Sequence, residues 1–195
     1  MMKQFEEIEH NLKSKLKESR YTHTMGVAYT AAAMAMKYGI SVERAYLTGL
    51  LHDCAKNIPE EEMFMLCQQH KISLSEAEQQ NPQLIHAKLG AWIAKEEYRI
   101  EDEEILNAIR LHTTGAPNMT VLEQIIYIAD YIEPNRKPLP HMDKIRQLAF
   151  TDLNQTMEVI TTDILKYLES IGSPIDSMTM QTNQYYIQYN REKRN

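Results

Sequence analysis

Cysteine is scarce in this chain. Cys54 and Cys67 are the only two in 195 residues, form no CxxC pair and cannot build a disulfide framework. That excludes a disulfide-stapled scaffold and predicts a reducing, cytoplasmic setting. Positive charge is not in excess either, since 21 Lys and Arg stand against 27 Asp and Glu, a formal charge of -6. A broad electrostatic footprint for nucleic acid is therefore not expected, although a local basic pocket is allowed. No apolar run approaches the length that crosses a bilayer, so no membrane association is expected. Met1-Met2-Lys3-Gln4-Phe5-Glu6-Glu7 is charged from the start, which predicts no secretion signal. Strict alternation with β-branched residues is missing too, which predicts no sheet. There is no internal repeat and no low-complexity linker.

What is present is helical periodicity. Phe5, Ile8, Leu12 and Leu16 mark an amphipathic opening helix, whose apolar face packs internally or pairs with a second chain in a homodimer. A second helix is predicted over residues 20–38, stopping at Gly39. Ser41 starts the helix through Ala45, Leu47 and Leu50 that delivers His52-Asp53. Pro59 followed by Glu60-Glu61-Glu62 starts a short helix that fades near His70. Ser75 and Glu78 form a capping box for another short piece, interrupted at Pro82. Further helices are predicted near residues 84–98, 102–111 and 120–132, the last opened by a capping box from Thr120 to Glu123. A proline-punctuated loop over 133–140 precedes helices near 141–149 and 151–170. The expected fold is all-α, a single-domain helical bundle over residues 1–175. Residues 176–195 read as a polar, aromatic tail that either packs on the body as a lid near the site or is disordered.

Four of the seven histidines share one setting. His23 has Gly26, Val27, Thr30 and Met34 on its helical face, and His52 follows Ala45, Thr48 and Gly49 at the same periodicity. His86 leads into Leu89, Gly90 and Ile93, while His112 follows Ile105, Ala108 and Ile109. Asp130 follows Ile126 and Tyr127 in the same way. Polar heads on such faces point toward the core, and Gly26, Gly49 and Gly90 predict close helix approach. A lone buried histidine is ordinarily a core residue with a satisfied hydrogen bond, and a lone aspartate near a helix end is ordinarily a cap. The set is different. Four imidazoles and two carboxylates buried separately would each need a partner, whereas metal coordination satisfies all of them together. His10, His70 and His141 stand in polar surroundings and read as surface residues.

Nitrogen and oxygen donors without thiolate suit iron, manganese, zinc, cobalt or nickel. Six ligands are too many for one catalytic metal with an open position; they suit two metals about 3.5–4 Å apart, bridged by a carboxylate. Asp53, beside His52, is the natural bridge. It shares one metal with His23, His52 and Asp130, and the other with His86 and His112. Hydroxide and phosphate oxygens would fill the remaining positions, the arrangement for phosphoester or phosphoanhydride hydrolysis. Lys56 lies one helical turn beyond Asp53 and Arg20 one turn before His23, while Arg136 follows in the proline-stiffened loop. Each is a phosphate partner or a solvated surface cation. Thr113, Thr114 and Gly115 offer phosphate donors or simply end a helix.

His23, His52-Asp53 and Asp130 in this order resemble the H…HD…D signature of the HD-domain metal-dependent phosphohydrolases, an all-helical superfamily. His86 and His112 resemble the extra histidines of its two-metal members. Within the superfamily the chain is similar to the bacterial YqeK group, on five stretches. They are residues 20–27 around His23, 51–56 around His52-Asp53, 85–91 around His86, 109–115 around His112 and 128–136 around Asp130. The resemblance implies symmetrical hydrolysis of diadenosine tetraphosphate to two ADP, commonly with iron. Asp53, Lys56, His86 and His112 are the expected catalytic residues. Arg20, His23, Lys56, His86, Thr113, Thr114, Arg136, Thr179 and Asn183 are the expected nucleotide contacts. One departure stands in the tail, where Thr182 occupies a place usually held by arginine. Competing expectations are an HD phosphohydrolase of mono- or triphosphates, a di-iron oxygenase on the same scaffold, and a nucleotide-sensing module without turnover.

Overall fold

The structure, a computed structural model, describes residues 2–137, 139 and 141–194. Its helices in chain order are α1 (Met2–Lys15), α2 (Glu18–Tyr38), α3 (Val42–Leu51), α4 (Glu60–Gln69) and α5 (Glu76–Gln80). After a 3-10 turn at Pro82–Leu84 come α6 (Ile85–Glu96), α7 (Glu103–Leu111), α8 (Val121–Ile132), α9 (Met142–Ala149), α10 (Leu153–Ser170) and α11 (Ser177–Arg194). No strand occurs among the described residues. Pro138 and Pro140 of the proline-punctuated loop lie outside them.

Local chemistry explains where five of the described helices start. The Ser41 hydroxyl accepts from the Arg44 amide at 3.2 Å and opens α3. Complete capping boxes, Ser75 with Glu78 and Thr120 with Glu123, open α5 and α8. Asp102 and Asp152 carboxylates accept first-turn amides at α7 and α10. Each such cap satisfies a donor that the helix itself leaves unpaired. Gly39 ends α2 in the left-handed region (φ 69°), where glycine has no steric penalty.

The core is organised on α8. Leu122, Ile125, Ile126, Ile128, Ala129 and Ile132 are all buried, so the helix is apolar nearly all round. It packs against α2, α3, α7, α9 and α10. The opening helix turns Ile8, Leu12 and Leu16 inward, in contact with α2 and α3, so this apolar face is used within the chain. His10 and His141 are exposed as expected, but His70 is half-buried and stacks on Trp92 with ring centroids 3.8 Å apart.

The residues after Asp176 depart from the sequence expectation in one respect: they form an eighteen-residue helix. Its buried positions are Thr179, Thr182, Tyr186 and Asn190, at spacings of three and four. The periodicity is helical, but three of the four residues are polar, so no apolar stripe announces it. Asn183 donates to the Thr161 and Thr162 hydroxyls (3.0 and 2.8 Å) and Asn190 to the Asn154 carbonyl (3.0 Å), which fastens α11 to α10.

Of the three glycines expected to permit close approach, Gly49 does so most directly. A Cβ there would lie 2.6 Å from Ala28 Cα, backbone that cannot yield. Gly90 does not: its nearest neighbours, Cys54 Sγ and Ile109 Cγ2, lie at 3.5 Å, an ordinary contact distance. Gly49→Ala should therefore lower stability by about 1–3 kcal/mol through overpacking of α2 on α3. Urea unfolding of both proteins measures it, and an equal or higher midpoint for the variant would contradict this packing.

Candidate metal centre

Three of the four histidines are presented by helix termini. His52 and His112 are the C-terminal caps of α3 and α7, and His86 lies in the first turn of α6. Carbonyls at the end of a helix lack intrahelical donors, so a side chain can use them. His52 Nδ1 lies 2.7 Å from the Gly49 carbonyl and His112 Nδ1 2.7 Å from the Ile109 carbonyl. His86 Nδ1 contacts the Gln83 carbonyl. A carbonyl only accepts, so these partners assign the ring hydrogen to Nδ1 and leave Nε2 as a bare donor atom facing inward. His23 is different: it sits inside α2 and its Nδ1 meets Glu133 Oε1 at 3.0 Å.

The inward nitrogens converge on Asp53, and its two oxygens divide them. Oδ2 lies 3.4 Å from His52 Nε2 and 3.8 Å from His23 Nε2. Oδ1 lies 3.1 Å from His86 Nε2 and 3.7 Å from His112 Nε2. Asp130 Oδ1 adds to the first group, 3.0 Å from His23 Nε2 and 4.0 Å from His52 Nε2. All six ligand candidates from the sequence are thus brought together. Arg20 Nη1 also reaches Asp53 Oδ2, at 2.7 Å, and Arg136 Nη2 reaches Asp130 Oδ1, at 2.7 Å.

Burial opposes ionisation of Asp53, yet the surrounding imidazoles of His52, His112 and His86 hold its carboxyl well below the usual range. Burial likewise opposes ionisation of Asp130, but the facing His23 and the nearby Arg136 guanidinium pull its carboxyl well below the usual range as well. Burial pushes His86 down to about 4 and also lowers Lys56. The carboxylates are therefore anionic and His86 neutral at neutral pH, the protonation states a metal requires.

Two observations test whether a metal fits. His23 Nε2 and His52 Nε2 are buried and have no hydrogen-bond partner. Buried polar atoms are ordinarily paired, and a cation would pair both. His86 Nε2 and His112 Nε2 face one another at 3.0 Å. With hydrogens at Nδ1 this opposes two lone pairs, which a cation beside them relieves. Among the described residues, His23, His52 and Asp130 form one group with metal-ligand spacing, and His52, Asp53 and His112 a second. The donor set is nitrogen and oxygen only, since Cys54, although adjacent, is buried and directs Sγ to the Gly90 carbonyl. Divalent transition metals fit this set.

The other expected site residues are distributed as follows. Lys56 Nζ lies 3.2 Å from His86 Nδ1 and 3.4 Å from the Gln83 carbonyl. Arg20, His23 and Arg136 line a groove of about 400 Å³ with Ser19 and Lys137. Thr113 and Thr114 follow His112, and the Thr114 carbonyl accepts from the Thr182 hydroxyl of α11 at 3.1 Å. Thr179 is buried and Asn183 is engaged with α10; neither hydrogen-bonds a ligand of the centre. A larger groove of about 670 Å³, lined by Tyr21, Met25, Tyr29 and Phe150, lies beyond Asn135 and contains none of the six ligands. Glu133 and Asn135 were not foreseen as part of the site. The one signal for Glu133 was its place three residues after Asp130, on the same turn of α8.

Fold and donor set define a class: an all-helical protein built round a histidine–aspartate metal centre. The HD domain family model matches residues 20–135. Two curated relatives are each called a symmetrical bis(5'-nucleosyl)-tetraphosphatase. The one from Bacillus subtilis is 40% identical, over 90% of this chain and 94% of that protein. The one from Halalkalibacterium halodurans is 42% identical, over 88% and 90%. A crystal structure from Clostridium acetobutylicum, described as a predicted HD superfamily hydrolase involved in NAD metabolism, superposes with a TM-score of 0.91. It is 38% identical and covers 95% of this chain and 97% of its own. The chain belongs to the HD domain family.

One prediction follows from His86. Its ordinary value is 6.5 and its folded value about 4, so within this window the unfolded chain binds a proton that the folded chain does not. The stability it contributes is complete above the upper value and is lost as pH falls through the window. In metal-free protein, His86→Gln should shrink the drop in urea midpoint between neutral pH and about pH 5. Equal drops in both proteins would contradict the assignment.

Proposed function

We infer that this chain is a metal-dependent hydrolase that cuts the phosphoanhydride bridge of diadenosine tetraphosphate symmetrically, releasing two ADP. The observation that carries the chemistry is Asp53, whose two oxygens each face a separate pair of histidines. The relatives at 40% and 42% identity carry the choice of substrate. His23, His52, Asp53 and Asp130 would hold one divalent metal, and Asp53, His86 and His112 the other. Iron is the proposed native ion; the donor set also suits manganese, cobalt, nickel and zinc.

Bound there, the metals would supply Lewis acidity and a water of lowered pKa. The chain's own residues do the rest. Arg20 and Arg136 neutralise Asp53 and Asp130 in the structure. With the carboxylates on metal, the two guanidiniums can turn to phosphate oxygens in the adjoining groove, where their forked donors match a phosphate. Lys56, at the His86 side, places a third positive charge near the oxygens that gain negative charge in phosphoryl transfer. Thr113 and Thr114, directly after His112, are the proposed hydroxyl donors on that side. Because α11 meets Thr114 through Thr182, it is the proposed cover on this side, with Thr179 and Asn183 proposed as nucleotide contacts after rearrangement from the buried and α10-bonded positions they hold in the structure. ADP is a weakly basic leaving group, so no general acid is assigned. The proposed partner is the dinucleotide, not nucleic acid, in keeping with the formal charge of -6.

Incubation of the anaerobically metal-loaded protein with diadenosine tetraphosphate should yield ADP alone. A mixture of AMP and ATP would contradict symmetrical cleavage. Asp53→Ala should lose turnover and both metals together, as measured by elemental analysis alongside product formation. Wild-type turnover in that variant would exclude Asp53 as the bridge.

A further inference from the structure

His23 is the exception among the four inward histidines. His52, His86 and His112 are each oriented by a carbonyl of their own chain segment, three residues upstream. That device is not available to His23. It lies in the interior of α2, where carbonyls accept from the amides one turn later and are already paired. Its Nδ1 must find a partner elsewhere, and the partner is Glu133, 110 residues away in sequence.

Glu133 is held as tightly as the histidine it meets. It is 1% exposed. Its Oε1 accepts from His23 at 3.0 Å, and its Oε2 accepts from the Asn135 backbone amide at 2.7 Å and side-chain amide at 3.1 Å. Both oxygens are engaged, which restrains rotation of the carboxylate. Arg146 fixes the main chain at the same point, donating to the carbonyls of Ile132 and Glu133. The space for this carboxylate comes from α2 itself. Gly26 lies one turn after His23, and a Cβ there would sit 2.2 Å from Glu133 Oε2 and 3.1 Å from Asn135 Nδ2. Glycine is a poor residue for a helix interior, and here its missing side chain is the room Glu133 occupies.

We propose that Glu133 is a positioning residue of the metal centre. It fixes His23 in the Nδ1–H form, with Nε2 aimed at the metal shared with His52, Asp53 and Asp130, and Gly26 is required to accommodate it. A carboxylate behind a ligating imidazole orients the ring and makes it a stronger donor, and loss of such a partner typically costs about 10–100-fold in metal affinity. Because Glu133 and Asp130 share one turn at the end of α8, one helix end places both a ligand and the carboxylate behind its neighbour. The assignment rests on the reading of His23 as a metal ligand.

The test uses the full chain, wild type and the variants Glu133→Ala, Glu133→Gln and Gly26→Ala, loaded anaerobically with ferrous iron. Chelator competition gives the affinity and number of ions, and long-range proton–nitrogen spectra of the metal-free proteins give the His23 tautomer. Wild type should bind two ions. Glu133→Ala should bind one of them about 10–100-fold more weakly and lose the fixed Nδ1–H form of His23. Gly26→Ala, with Glu133 intact, should weaken the same ion. Glu133→Gln keeps an acceptor for the ring hydrogen and should recover most of the affinity. It and Gly26→Ala carry the test if Glu133→Ala does not fold. Wild-type affinities and an unchanged tautomer in Gly26→Ala and either Glu133 variant would overturn the role of Glu133 alone. Equal weakening of both ions with the tautomer retained would mark a merely structural residue and overturn it too. A wild-type protein that binds no ion would overturn the metal centre itself.

Discussion

Asp53 is a carboxylate 2% exposed to solvent, with imidazole nitrogens on both of its oxygens. Taking such a charge out of water is costly unless other groups compensate it, and four different helices contribute to the compensation. His23 comes from inside α2, and His52 and His112 come from the ends of α3 and α7. His86 comes from the start of α6. Each helix is placed so that one nitrogen can approach the same two oxygens. The close packing of α2 on α3, possible because residue 49 is glycine, belongs to the same constraint: His23 and His52 face Asp53 Oδ2 from those two helices.

Helix ends supply the precision. A histidine at a terminus can use a free carbonyl to lock one ring nitrogen, which leaves the other aimed at the centre without a dedicated partner residue. His52 and His112 are oriented in this way. His23 cannot be, so a second carboxylate from the end of α8 takes over that task. The cations follow the same electrostatic logic. Arg20 and Arg136 sit against Asp53 and Asp130, where they balance buried negative charge and border the groove that leads to it.

Most of this centre was legible in the sequence because its residues break a pattern. An imidazole or carboxylate on an otherwise apolar helical face stands out, and six such residues are difficult to reconcile with separate burial. Helix boundaries were equally legible, since Ser41, Ser75, Asp102 and Thr120 carry cap chemistry next to periodic apolar runs. Two features were hidden for physical reasons. The α11 helix buries Thr179, Thr182 and Asn190, so its inward face has helical spacing without hydrophobicity. Glu133 closes a helix, where an acidic residue before a proline loop has no visible reason to be buried, and its partner is distant in sequence. Gly26 was read as room for a neighbouring helix, whereas the space is taken by a single carboxylate.

The proposed bridge by Asp53 depends on a pair of metal ions close enough to share one carboxylate. X-ray absorption spectroscopy of anaerobically loaded protein, combined with anomalous diffraction at the metal edge, measures their separation directly. Two ions about 3.5–4 Å apart, one on each oxygen of Asp53, are expected. A single ion at full loading, or two ions too far apart to share Asp53, would contradict the bridge.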